Sequence, residues 1–199
     1  QVEETDTVQV GKKILQGKQT QKVLAFYKPV GVTCTERDPH AEKKIMDMIR
    51  YPERLTYAGR LDKDSEGLIL LTNDGDLINA MMRGANRHEK EYIVKTDREI
   101  TPDFLEKMAK GIYLKDLDIT TRECKIEQIG KFTFRIVLTQ GVNRQIRRMC
   151  EACGYRVKAL KRIRIMNILL GDLKPGKWRE VTGEELEQLQ RDTGMLNRN

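Results

Sequence analysis

Residues 57–75, YAGRLDKDSEGLILLTNDG, set the carboxylates Asp62, Asp64 and Glu66 directly ahead of an apolar run. Gly67-Leu68-Ile69-Leu70-Leu71-Thr72 has the pattern of a buried strand. Asn73-Asp74-Gly75 then turns the chain and can cap a helix carrying Leu77, Ile78, Met81 and Met82, which Gly84 closes. An acidic cluster before such a strand admits three readings: a solvated loop, a metal site or a catalytic carboxylate. The calcium form of the metal reading fails on spacing. Asp62, Asp64, Glu66 and Gly67 imitate the start of an EF-hand loop, but its acidic twelfth position is Asn73 here. Leu68–Leu71 also reads as strand where that loop would have to continue.

Upstream, residues 1–20 are polar without a sustained period and are expected to be a tail or linker. Structure should begin at Val23-Leu24-Ala25-Phe26-Tyr27 and stop at Lys28-Pro29-Val30-Gly31. Residues 42–50 place Ile45, Met46 and Ile49 at helical spacing. Downstream, Tyr92-Ile93-Val94 starts a strand. Thr101 and Pro102 open a helix with the apolar face Phe104, Leu105 and Met108, ended by Gly111. Strands are predicted near 122–129 and 132–138, the second alternating through Phe132, Phe134, Ile136 and Leu138. A helix over 143–153 gathers Ile146, Met149, Cys150 and Cys153 on one face. Strands near 156–170 and 178–181 follow, and Thr182 with Glu185 predicts a capping box before the last helix. Strands and helices mix without a βαβ repeat, so the expected class is α+β.

The chain has 199 residues, 39% of them hydrophobic, which suits one domain with a real core. The predicted catalytic domain spans 21–192, with a C-terminal tail over 193–199. A formal net charge of +7 attracts polyanions, of which nucleic acid is the commonest; a merely soluble surface is the plainer alternative. No apolar run is long enough for a membrane span, and no signal peptide pattern opens the chain. Cys34, Cys124, Cys150 and Cys153 form no disulfide framework, so a reduced, cytoplasmic protein is expected. Cys150-x-x-Cys153 lacks two further zinc ligands at regular spacing, and both thiols read as core.

The stretch 57–75 resembles the signature of pseudouridine synthases of the RsuA/RluA superfamily: GRLD, then Ser, Gly, a leucine run and TNDG. Further pieces follow in order. Lys28-Pro29-Val30-Gly31 resembles the family's KPxG motif, though a plain Pro-Gly turn fits as well. Lys90-Glu91-Tyr92 resembles its KxY motif. Gln140 to Met149 resembles the motif G-x-x-x-Q-[IV]-[RK]-R-M. The form QIRRM is closest to the RsuA, RluB, RluE and RluF branch, and within it to the RluF type, which acts on large-subunit ribosomal RNA. Members of that branch often carry an S4 RNA-binding module upstream, and residues 1–20 could be its linker.

The resemblance implies a central, mainly antiparallel mixed sheet flanked by helices, with a basic cleft. It implies Asp62 as catalytic aspartate, Tyr92 stacking on the uracil near its C5 proton, and Arg147 as the charged partner of Asp62. Ile146 would line the uracil pocket, and Arg60 would fill the space left by a flipped base. Lys28, Arg144 and Arg148 stand as further substrate-binding candidates, the last two equally readable as a solvated cationic face. Lys158, Lys161, Arg162 and Arg164 are candidates for phosphate contacts. Asp64 and Glu66 fall at no catalytic position. The implied activity is isomerisation of a uridine in structured RNA by a monomer without cofactor or metal, most readily 23S ribosomal RNA. Small-subunit rRNA and tRNA stay open as substrates. The rivals are a non-catalytic RNA-binding module of the same fold and a metal-dependent nuclease using Asp62, Asp64 and Asp74.

Overall fold

The computed structural model describes residues 20–34, 45–83 and 87–195. The expectations for residues 1–19, 42–44, Gly84 and 196–199 therefore lie outside the described residues.

The GLILLT run forms β3 (Glu66–Thr72), buried at six of its seven positions. It is apolar throughout because both its faces are covered. Leu68 and Leu70 join one core with Val23 and Ala25 of β1 (Val23–Lys28). Helix α2 (Gly75–Arg83) adds Leu77 and Met81 to that core, and α5 (Gly183–Asp192) adds Leu189. Ile69 and Leu71 face another core with Leu24, Phe26, Leu61 and Ile45 of the short α1 (Ile45–Met48). Between them, β2 (Thr56–Tyr57) pairs with the end of β3.

A separate core holds the other half of the molecule. There β4 (Lys90–Thr96), β7 (Lys125–Gly130), β8 (Thr133–Leu138) and β9 (Val157–Ile165) carry α3 (Pro102–Lys110) and α4 (Gln145–Ala152). Val94, Phe134, Ile136 and Leu160 meet Phe104, Met108, Ile146, Met149 and Cys150. With β10 (Ile168–Leu169) and β11 (Trp178–Glu180), these strands make one nine-stranded sheet of order β11-β1-β3-β9-β4-β8-β7. Among the described residues, all its pairings are antiparallel except β3 with β9. That parallel seam has only two pairs, Glu66↔Lys161 and Gly67↔Arg162. The α+β expectation holds.

The end signals hold in part. Thr101 Oγ1 accepts from Phe104 N at 3.1 Å and Asp74 Oδ1 from Asp76 N at 2.9 Å, so both predicted N-caps form. The Thr182–Glu185 capping box does not. Thr182 makes no side-chain cap bond, and the Glu185 carboxylate is drawn into a two-pronged pair with Arg179 at 2.6 and 3.0 Å. A hairpin of β5 (Tyr113–Leu114) and β6 (Ile119–Thr120) had no sequence signal, its strands being two residues each.

Gly67 makes the seam possible. Its φ is +115°, and a Cβ there would lie 2.3 Å from the carbonyl oxygen of Arg162. Gly59 has φ +105° but open space around it. Gly67→Ala should lower Tm by roughly 4–8 °C, reflecting about 2 kcal/mol of strain and displaced backbone. Gly59→Ala should cost clearly less in the same calorimetric scan. Equal losses would show that close approach at the seam is not the constraint.

Candidate active site

Asp62 sits on the loop that enters β3, half-exposed, between the buried Leu61 and Ser65. Five successive carbonyls of this loop are each engaged. Arg162 Nη1 donates to Arg60 O at 3.2 Å, and Cys34 Sγ to Leu61 O at 3.2 Å. Ser65 N donates to Asp62 O at 3.1 Å. Gly31 N donates to Lys63 O at 2.7 Å, and Arg147 Nη2 to Asp64 O at 3.0 Å. Donors from three other segments and from the loop's own Ser65 thus hold the loop in place, while the Asp62 side chain stays part-exposed. A reacting group held this way needs no reorganisation before it acts.

Three sequence expectations change here. Arg147 was expected to pair with Asp62. It instead donates to Asp64 O and to Ser65 Oγ (3.1 Å), and its Nη1 lies 3.5 Å from the Asp64 carboxylate. Among the described residues, the cation that an ion pair brings to Asp62 is Arg144, whose Nη1 is 3.6 Å from Oδ2. Arg144 caps α4 with a left-handed backbone, φ +51°, and its guanidinium grips Asp64 through two bonds of 3.0 and 2.7 Å. That fork holds the Asp64 carboxyl below the usual carboxylate range.

Lys28 was expected to contact substrate. It is fully buried, and its Nζ donates to Pro29 O and Val32 O at 2.7 Å and to Lys63 O at 3.4 Å. It therefore clamps the KPVG turn to the Asp62 loop. Burial pushes its ammonium down to about 8, against the pull of Asp62, Asp64 and Glu66.

Arg162 and Arg164 do not present themselves to phosphates. Arg162 is buried and donates to Leu68 O at 2.8 Å as well as to Arg60 O. Arg164 is taken up by Glu89 at 3.0 Å and Glu91 at 3.2 Å. Lys158 is exposed and Lys161 partly so. Arg148 bonds Asn143 O at 2.9 Å and stays partly exposed.

Tyr92 lies across the strand pairing from Arg162 and packs, half-buried, on the core that contains Ile146. Arg162 in turn reaches the loop beside Leu61, which belongs to the opposite core. Arg162 thus links the two segments that carry Asp62 and Tyr92, bonding the loop at Arg60 and pairing with Tyr92 across the strands. Arg60 is exposed, with Nη2 3.4 Å from Cys34 O. Lys90, first residue of the KEY triplet, is pushed down to about 8 by burial, with the charge of Arg162 adding to the shift. The parts that Cys34, Ser65 and Asp64 take in holding this loop and its cations had no signal in the sequence. Ser65 and Asp64 lie inside the motif, but nothing in its spacing says which cations they meet.

The family profile described as RNA pseudouridylate synthase matches residues 22–152. The dual-specificity RNA pseudouridine synthase RluF of Escherichia coli (strain K12) is 44% identical over 191 residues, which is 95% of this chain and 65% of that protein. The chain thus spans about two thirds of that relative's length. An uncharacterised RNA pseudouridine synthase of Aquifex aeolicus (strain VF5) is 35% identical over 96% of this chain and 80% of its own. A crystal structure of a pseudouridylate synthase superposes with a TM-score of 0.79 at 29% identity, covering 85% of this chain and 74% of that one. With that profile and that relative in agreement, the chain belongs to the RNA pseudouridylate synthase family.

Proposed function

We propose that this domain isomerises a uridine in structured RNA to pseudouridine, with Asp62 as the catalytic carboxylate and no cofactor. The observation that carries this reading is the loop of five engaged carbonyls, which leaves the Asp62 carboxylate part-exposed with the Arg144 cation 3.6 Å away. The reaction breaks the bond from uracil N1 to ribose C1′, turns the base, and joins C5 to C1′. The C5 proton is lost and N1 ends protonated. A fixed carboxylate assists at the ribose, as nucleophile at C1′ or as base at C2′. A base inside a stem must be flipped out to reach it. Tyr92 then offers a stacking face beside Ile146, and exposed Arg60 stands where it can enter the vacated stack.

For the substrate we propose large-subunit ribosomal RNA, read in the cytoplasm by a monomer. A relative named ribosomal large subunit pseudouridine synthase B, from Vibrio cholerae serotype O1 (strain ATCC 39315 / El Tor Inaba N16961), supports this. It is 34% identical over 84% of this chain and 54% of its own. Positive charge on Arg60, Arg148, Lys158 and Lys161 supplies the phosphate contacts, in place of Arg162 and Arg164.

Three outcomes test the reading. In a tritium-release assay on RNA labelled at uridine C5, with chelator present, Asp62→Asn should fall below roughly one thousandth of wild-type rate. Glu66→Gln should remain active, and substantial release by Asp62→Asn would sink the assignment. Tyr92→Ala should lose stacking worth about 1–3 kcal/mol, weakening use of the substrate roughly tenfold or more, whereas Tyr92→Phe keeps the ring and should keep base binding. Wild-type turnover by Tyr92→Ala would remove Tyr92 from the site. RNA affinity should drop about a hundredfold between 50 and 200 mM salt if about four phosphates are met. A flat salt response would leave the cleft without a role in RNA binding.

A further inference from the structure

By its place in the motif, Asp64 is a bystander two residues past the catalytic position. Its contacts give it a different standing. Both arms of the Arg144 fork end on its carboxylate, at 3.0 and 2.7 Å. The same carboxylate lies 3.5 Å from Arg147 Nη1, and its own carbonyl accepts from Arg147 Nη2. Arg144 meanwhile keeps Nη1 3.6 Å from Asp62, beyond hydrogen-bond distance. It does so from a left-handed backbone that side chains other than glycine seldom adopt, so something must hold it there.

We propose that Asp64 is a positioning residue for catalysis: it occupies the Arg144 fork and so keeps that cation beside Asp62 without letting it close on Asp62. This rests on Asp62 being the catalytic carboxylate. A guanidinium free to choose forms short two-pronged bonds with a carboxylate. On Asp62 such a pair would occupy both oxygens that the ribose must meet. A guanidinium removed altogether would take from the carboxylate the positive charge that lies 3.6 Å from it, a loss felt most once RNA excludes water. Asp64 resolves these opposing needs by competing for the same fork. Its own side chain is about half exposed, so it holds Arg144 without being sealed in with it.

The test compares Asp64→Asn, Asp64→Glu, Arg144→Gln and the double variant Asp64→Asn/Arg144→Gln. Tritium release under single-turnover conditions reads the chemical step, filter binding of the same RNA reads affinity, and Tm confirms that each variant folds. Asp64→Asn should lose at least about tenfold in the chemical step, with RNA affinity unchanged or tighter because one negative charge is gone. Asp64→Glu should recover most of the rate. In the Arg144→Gln background, Asp64→Asn should cost less than about twofold more, because the cation it restrains is absent. A crystal structure of Asp64→Asn should show Arg144 closed on Asp62 at about 2.8 Å. Wild-type rate in Asp64→Asn, losses that multiply in the double variant, or an unmoved Arg144 would each overturn the proposal. Failure of the underlying reading looks different: wild-type protein would release no tritium, or Asp62→Asn would release it freely.

Discussion

The seam between β3 and β9 is the constraint on which the rest of the molecule depends. Two residue pairs join a half built on β1 and β3 to a half built on β4 and β8. At that seam Gly67 lets the backbones approach closer than any side chain would permit. Arg162, directly opposite, is buried and donates to Leu68 O on one side and Arg60 O on the other. A buried guanidinium is costly unless its donors are used. Here they are spent on the carbonyls that bracket the Asp62 loop. The residue that holds the two halves together therefore also fixes the loop between them.

The site follows from that arrangement. In one core the packing crosses the seam, where Ile165 and Ile168 meet Leu68 and Leu70, while the cores holding Leu61 and Ile146 stay separate. The loop entering β3 joins these two, with Leu61 in one core and Arg144 and Arg147 at the start of α4 bonding it from the other. Sites assembled at such a junction draw residues from segments far apart in the chain. Here those segments are the turn at 28–34, the loop at 60–66, the strand at Tyr92, and the helix start at 144–147.

How much of this was legible in the sequence depended on the range of the interaction. The buried β3, the caps at Thr101 and Asp74, and the apolar face of α4 are local patterns, and each was legible. Position in the GRLD motif pointed to Asp62, and the geometry leaves that carboxylate accessible. What failed was long-range. Lys28 reads as an exposed cation before a turn, yet it is sealed under Lys63 thirty-five residues away. Arg162 and Arg164 read as part of a basic strand. One is buried at the seam and the other is claimed by Glu89 and Glu91 on the neighbouring strand. Glu185 reads as half of a capping box and is taken by Arg179. In each case a charged side chain is claimed by partners that its place in a motif or strand pattern does not reveal, as Lys28 is by Pro29 O, Val32 O and Lys63 O.

The cations around Asp62 show the same limit at short range. Motif spacing places Arg144, Arg147 and Arg148 at the start of one helix, opposite a loop with Asp62, Asp64 and Glu66. Spacing alone does not choose among the pairings this allows. The choice is made by backbone geometry. Arg144 stands at the helix cap in a left-handed conformation, which brings its fork across Asp64 and its flank toward Asp62. Arg147, within the first turn, faces the loop's backbone and takes the carbonyl of Asp64 and the hydroxyl of Ser65. Arg144 thus serves the carboxylates, while Arg147 bonds the loop's backbone and Ser65 and flanks the Asp64 carboxylate at 3.5 Å. Among the described residues, this leaves the Asp62 oxygens near positive charge, with Arg144 at 3.6 Å, and without a short bond to it.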